Sequence, residues 1–167
     1  MSKLFVDTIE PKTSGEIVAV PNIKITNKPA FRLTVATAQT LSTSTATVLF
    51  TDRGTSYNNF LQGDMSLSSG VITVPVAGVY QFSTIMRVNN VGSGYMTARI
   101  QRNDMSNSEE GGYIIIGNSR STDYDNLTGT TIYNMDANDT VQVRITASAD
   151  TSWNIGVQSE FSGYLIG

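Results

Sequence analysis

The clearest alternation of apolar and polar positions in the chain lies between Ser69 and Val88. A short apolar run, Val71–Val74, precedes Pro75 and Gly78, and a longer alternating run follows them. In the longer run, one set of alternate positions is the more apolar and consists of Tyr80, Phe82, Thr84, Met86 and Val88. Period-two alternation bounded by Pro and Gly is typical of β-strands, and Pro75, which has no N–H to donate, belongs at a strand end. The segment therefore predicts two strands joined by a turn at residues 75–78.

Shorter runs of the same kind predict strands along the rest of the chain. They lie at Phe31–Val35, Val48–Phe50, Met65–Leu67, Tyr95–Gln101, Tyr113–Ile116, Leu127–Met135, Thr140–Ala147, Trp153–Val157 and Phe161–Ile166. We expect the runs at 127–135 and 140–147 to form a hairpin around Asp136–Asp139. No segment repeats apolar residues with the period of a helix over three turns. Strands at this spacing predict an all-β fold, either a sandwich or a jelly roll.

The first 28 residues contain only brief strand patterns, which cannot form a stable sheet alone. We therefore predict an attachment arm at 1–28 and a head domain at 29–167, with the arm paired either with the head or with another chain. An ordinary hairpin packed on its own domain is the alternative. The apolar residues expected to dock the arm are Leu4, Phe5, Val6, Ile9, Ile17, Val18 and Val20.

Composition narrows the function more than the fold. The 167 residues include no Cys and no His, which removes disulfides, thiolate metal sites and every nucleophile that depends on a histidine base. The net charge of −3 disfavours a nucleic-acid binder. No apolar run approaches the length of a membrane span, and the first residues lack the continuous apolar stretch of a signal peptide. We expect no enzyme activity and no cofactor.

A few side chains are candidates for binding. Asp123 and Asp125 offer oxygen ligands of the kind that calcium prefers, although a solvated turn is the preferred explanation. Tyr124 and Trp153 are candidates for stacking on a sugar ring, with core or rim packing as the alternative. The pair Glu109–Glu110 lies in a polar loop, where nothing indicates the cleft that acid–base catalysis needs.

The order of residues from Ser69 to Phe82, small-Gly-x-Ile-x-x-Pro-x-x-Gly-x-Tyr-x-Phe, resembles the central signature of the globular head of complement subcomponent one-q. That head belongs to a jelly-roll superfamily that includes tumour necrosis factor. Further segments resemble its other strands and extend the likeness over residues 29–167; they are Pro29–Val35, Met96–Asp104, Thr130–Ile145 and Glu160–Gly167. The resemblance implies a homotrimer whose subunits meet through the strands at 79–88 and 161–166. From it we expect contacts at Tyr80, Phe82, Phe161 and Tyr164.

The segment from Val6 to Asn22 resembles short segments near the N-termini of tailed-bacteriophage virion proteins. It leads us to expect a virion structural protein that is made in the host cytoplasm and displayed on the particle surface. The expected partners are other copies of the chain and a capsid or tail protein. A capsid decoration (cement) protein is preferred to a fibre knob because the arm is brief. The alternative is a fibre-tip adhesin that recognises a glycan on the host cell surface.

Overall fold

The structure is a computed structural model that describes residues 28–41, 45–90, 95–103, 115–118, 124–147 and 153–167. Within these ranges the chain forms two antiparallel sheets and a single turn of 3-10 helix, Thr55–Tyr57, with no α-helix. The all-β prediction is therefore confirmed. No helix in this described part is long and apolar enough to cross a bilayer.

Among the described residues, thirteen strands make up the two sheets. In chain order they are β1 (Ala30–Thr34), β2 (Gln39–Leu41), β3 (Ala46–Thr47), β4 (Phe60–Gln62), β5 (Ser66–Ser68), β6 (Val71–Thr73), β7 (Gly78–Asn90), β8 (Tyr95–Arg102), β9 (Ile115–Asn118), β10 (Tyr124–Met135), β11 (Thr140–Ala147), β12 (Trp153–Ile155) and β13 (Glu160–Leu165). The predicted strand at 48–50 is absent, although the Val48 N–H donates to the carbonyl of Val143.

The first sheet, here sheet 1, is built around β7, the longest strand. β10 pairs with one edge of β7 along its whole length, and β13 and β12 pair with successive parts of the other edge. β1 and then β4 extend the sheet beyond β13, while β2 extends it beyond β12. The second sheet, sheet 2, runs in the order β5-β6-β11-β8-β9, with β3 also paired to β11.

The turns at 75–78 and 136–139 both carry the chain from one sheet to the other. The predicted hairpin of β10 and β11 is therefore wrong, because β10 pairs with β7 whereas β11 pairs with strands of sheet 2. The turn after β10 is fixed instead on the end of β6. The Val74 N–H donates to the carbonyl of Asp139, and the Asn138 N–H donates to the carbonyl of Val74. Such crossings between sheets produce a jelly roll rather than a meander.

Aromatic rings form the centre of the core between the sheets. Phe31 and Phe161 meet edge to face with ring centroids 4.9 Å apart, and Phe82 stacks on Tyr80 at 6.0 Å. All four rings are fully or almost fully buried. Gly163 lies between Phe31 and Phe82 in the register of β1, β13 and β7, so its missing side chain lets both rings occupy that space. The fold thus buries one face of sheet 1 and leaves the opposite face, here the outer face, without a covering layer among the described residues.

Candidate subunit interface

The outer face of sheet 1 carries an unusual amount of exposed apolar surface. Its large exposed side chains are Val79, Ile85, Ile132, Tyr164 and Ile166, of which Ile132 is the most exposed at 59%. Four of them lie in β7, β10 and β13, and Ile166 directly follows β13. A concentration of apolar groups on one face is typical of an interaction site, whereas single exposed apolar residues scattered over a surface are ordinary.

Small polar residues separate these apolar groups. Ser83 is in register with Thr130 on one side and Ser162 on the other, and the Thr130 hydroxyl lies 3.1 Å from that of Ser83. In the adjacent row, the Tyr164 hydroxyl donates to Oε1 of Gln81 at 3.1 Å. Short side chains give this part of the sheet a low profile, which permits another sheet edge to approach closely.

The edge of β10 is also unusual. Among the described residues β10 pairs only with β7, so its other edge has no strand partner. Residues 126–135 include neither a charged residue nor a proline. Edge strands are normally protected by charges, prolines or bulges, because their free N–H and C=O groups otherwise recruit another strand. An uncharged edge beside an apolar face favours burial against a second copy of the chain.

An ion pair borders the outer face on the side of β4. Arg32 of β1 donates through Nη2 to Oε2 of Glu160 at 2.6 Å, and this hydrogen bond raises the pKa of the guanidinium above its ordinary value, against a smaller lowering by burial. Phe60, the register partner of Arg32 in β4, is 41% exposed. Arg32 and Glu160 therefore neutralise one another at this border of the face.

The structure corrects three of the four predicted contact residues. Tyr80, Phe82 and Phe161 are each 0% exposed within one subunit, so their side chains have no surface left for another subunit. Burial also raises the pKa of Tyr80, whose hydroxyl donates to the carbonyl of Val76 at 2.9 Å. Tyr164 is exposed on the outer face, and its subunit contact remains a prediction.

The outward positions that sequence reasoning missed are Val79, Ile85, Ile132 and Ile166. The first three belong to the less apolar alternate set of their strands, which faces outward. The more apolar set of a two-layer sandwich fills the core.

The other predicted site residues are only partly described. Tyr124 and Trp153 begin β10 and β12, and their backbones pair with Asn89 and Asn90 at one end of β7, so both lie at the same end of sheet 1. Asp125 pairs with Val88 inside β10 rather than lying in a loop.

The remaining candidates lie outside the described residues. They are Asp123, the pair Glu109–Glu110, and the arm positions Leu4, Phe5, Val6, Ile9, Ile17, Val18 and Val20. Within the described ranges, no three acidic side chains are grouped so as to hold a metal ion.

Comparisons with known proteins agree with this geometry. The family model of the C1q domain matches residues 30–166. The structure of murine APRIL is similar over 83% of this chain and 98% of its own, with a TM-score of 0.59 and 11% sequence identity. The globular domain of zebrafish complement 1qA is similar over 84% of this chain and 98% of its own, with a TM-score of 0.58 and 16% identity. No curated protein sequence shows a significant match.

Proposed function

Because this chain belongs to the C1q-domain family, we propose that it is a non-enzymatic structural protein whose head domains assemble as a homotrimer. The observation that carries the proposal is the outer face of sheet 1, where five large apolar side chains are exposed next to an uncharged strand edge. An edge and a face are different surfaces. A contact between them joins copies head to tail, and such contacts close into a ring when the rotation between copies permits it. Three copies around one axis form such a ring.

The role of the protein in a larger particle is a finer proposal. We infer that the trimer is displayed on the surface of a bacteriophage virion as a capsid decoration protein, attached through residues 1–28. The support is the likeness of the segment Val6–Asn22 to segments in tailed-phage virion proteins, together with the apolar positions of that segment. The polar remainder of the head suits exposure to solvent on a particle.

The mass of the purified chain in solution tests the trimer. Light scattering coupled to size exclusion should give about three times the subunit mass of 18.0 kDa, and the mass should be constant over a wide range of concentration. A subunit mass at all concentrations would refute the proposed assembly. A dimer would also refute it, because an edge-to-face contact between two copies leaves one edge and one face open.

Electron cryo-microscopy of the particle tests the location. We expect knobs on the capsid at regular positions and none on particles assembled with a chain that lacks residues 1–28. The truncated chain should still have the mass of a trimer, which serves as the control for folding. Knobs found only at the tail tip would remove the decoration role and favour a fibre knob, and loss of the trimer on truncation would show that the arm belongs to the subunit interface.

A further inference from the structure

One end of the sandwich, here the base, carries exposed apolar side chains next to the point where the chain enters β1. Val76, Val79 and Ile166 are 43%, 38% and 44% exposed, and together they form the base patch. Val79 and Ile166 are adjacent, because the Ile166 N–H donates to the carbonyl of Val79 at 2.7 Å. Val76 lies in the turn between β6 and β7 rather than on the outer face, so the proposed subunit contact does not account for its exposure.

The turn holds Val76 in a fixed position. The hydroxyl of Tyr80, a residue that is 0% exposed, donates to the carbonyl of Val76 at 2.9 Å from beneath the turn. Just before the turn, Val74 exchanges two backbone hydrogen bonds with Asn138 and Asp139. The base patch is therefore a preformed surface, and a segment that covers it removes apolar area from water without first having to order the head.

The chain that enters β1 passes directly beside this patch. The Leu165 N–H donates to the carbonyl of Pro29 at 2.9 Å, which continues the register of β1 and β13 by one residue. Lys28 is the next residue in that register, and it therefore lies beside Ile166. Nε2 of Gln62 donates to the carbonyl of Lys28 at 3.2 Å and helps to hold it there. The segment that precedes Lys28 thus starts at the margin of the base patch.

Residues 23–27 are long enough to reach all three members of the patch. β1, β13 and β7 are successive strands, and strands are about 4.8 Å apart, so roughly 10 Å separates Lys28 from Val79. Five extended residues span up to about 17 Å. In the sequence, Ile23 and Ile25 alternate with polar residues, so an extended segment presents both isoleucines on one side.

The charges around the base complement those of this segment. Asp64 and Asp136 are both exposed there, the first just beyond β4 and the second just beyond β10. Residues 23–28 include Lys24 and Lys28 and no acidic residue. Opposite charges at the rim favour this segment of the chain over an acidic partner.

From these features we propose that residues 23–27 fold back onto the base of their own subunit. Ile23 and Ile25 pack on the base patch, and Lys24 lies at the rim with the acidic side chains. The docked segment leaves residues 1–22 to reach a partner, and it sets the direction in which they leave the head. This docking needs only one subunit and does not rest on the proposed trimer.

Thiol labelling of the full chain with N-ethylmaleimide tests the docking. The chain has no cysteine, so a single introduced thiol is the only one that reacts. Val76→Cys places the thiol in the base patch. Val157→Cys is the matched control, because Val157 is 44% exposed and its turn contacts β7 at Arg87, away from the base. We expect Val76→Cys to react about tenfold more slowly than Val157→Cys, since the docked segment must open before the reagent can enter.

Changes in the segment itself assign the protection. Ile23→Asp combined with Ile25→Asp should raise the labelling rate of Val76→Cys by about tenfold, because a charge cannot be packed on an apolar patch without a large cost. The rate of Val157→Cys should stay the same. As a control, Val18→Asp combined with Val20→Asp adds the same two charges outside the docked segment and should change neither rate.

A disulfide test identifies the subunit on which the segment docks. Ile25→Cys combined with Val76→Cys should form a disulfide within one chain on mild oxidation, which mass spectrometry detects as the loss of two hydrogens without a covalent dimer. Ile25→Cys combined with Val157→Cys should remain reduced under the same conditions.

Three results would overturn the proposal. They are equal labelling rates at the two positions, slow labelling of Val76→Cys that the isoleucine changes do not relieve, and covalent dimers in place of the disulfide within one chain. Light scattering on the same samples separates this inference from the proposed trimer: a monomer with a protected base refutes only the trimer, and a trimer with an unprotected base refutes only the docking. If the isoleucine changes released the protection and dissociated the trimer together, a second copy would be what covers the base, and the docking would be refuted.

Discussion

Replacing Gly163 by Ala would place a methyl group where two core rings already meet. A Cβ at this position would lie 2.5 Å from Cδ1 of Phe82 and 2.8 Å from Cε1 of Phe31. Real Cβ atoms essentially never approach another heavy atom within 3.0 Å. Neither ring has room to withdraw, since both are buried and packed against Phe161. Gly163 does not have a positive φ, so the backbone itself would accept alanine.

The expected cost follows from two opposing terms. Overpacking a dense core costs about 1–3 kcal/mol, while the reduced freedom of the unfolded chain returns about 0.4–1 kcal/mol. We therefore expect Gly163→Ala to lower the free energy of unfolding by roughly 1–2 kcal/mol. Phe82→Leu leaves a cavity and should cost about 1–2 kcal/mol, less than the ~3–5 kcal/mol of a change from Phe to Ala.

The double variant tests whether the clash between Gly163 and Phe82 is the cause. Leucine at 82 vacates part of the space that the new methyl group needs, so the double variant should be more stable than the sum of the single changes by about 1 kcal/mol or more. Ser162→Ala is the control, because Ser162 is the chain neighbour of Gly163 and faces outward. It should change the stability by less than about 0.5 kcal/mol.

Urea unfolding followed by far-UV circular dichroism gives these differences. All variants must be measured at one subunit concentration, because association of subunits adds to the apparent stability. Additive single effects, or a Gly163→Ala variant as stable as the wild type, would contradict the packing of the two rings around Gly163. If Ser162→Ala lowered the free energy of unfolding as much as Gly163→Ala, the decrease would come from changing any residue in this part of β13 and not from the contact of residue 163 with the two rings.

Two further predictions concern the outer face and acid stability. Ile132→Asp should dissociate the trimer: full burial of an isoleucine is worth about 1.5–3 kcal/mol, and the side chain is 59% exposed. The loss is then about 1–2 kcal/mol per subunit, or a factor of roughly 10²–10⁴ in the association constant of a trimer. Sedimentation velocity over a range of concentrations measures this loss, and Val157→Asp, at a 44% exposed position in a turn, is the control that should remain a trimer. The pKa of Asp139 is lowered, since burial, which would raise it, is outweighed by the hydrogen bonds from Asn103 and a backbone N–H and by the charge of Arg102. The stabilisation is therefore present above the unfolded pKa of about 3.9 and is lost as pH falls through the lower folded pKa. As the pH is lowered below about 4, the free energy of unfolding measured with urea should fall less for Asp139→Asn than for the wild type. An equal fall in both proteins would rule out this carboxylate as a contributor.

Strand positions could be predicted from the sequence because alternation is a local signal. The pattern over residues 79–88 gave the middle of β7, and the turn residues Pro75 and Gly78 marked its start. Pairing could not be predicted in the same way, since the turn at 136–139 has ordinary hairpin chemistry. What excludes a hairpin there is the distant contact of Asn138 and Asp139 with Val74, which no local pattern reveals.

The candidate interface shows a different limit. The resemblance to a superfamily of trimers predicts which strands would face another subunit. It does not predict which side chains of those strands face outward, because large aromatic residues are common both in a core and in an interface. Phe161 and Tyr164 lie in the same strand on opposite faces, and one is fully buried while the other is 48% exposed.

The two faces of β7 divide the effects of mutation between folding and assembly, and Glu160 connects them. Its backbone carbonyl accepts from the buried Thr84 hydroxyl at 2.8 Å, while its carboxylate accepts from Arg32 near the outer face. Because the same residue begins β13, a change that displaces Glu160 acts on the core and on the outer face together. Substitutions at inward positions such as Phe82 should therefore lower stability without changing the proposed subunit contact, and those at outward positions such as Ile132 should do the reverse. A substitution of Glu160 should show both effects.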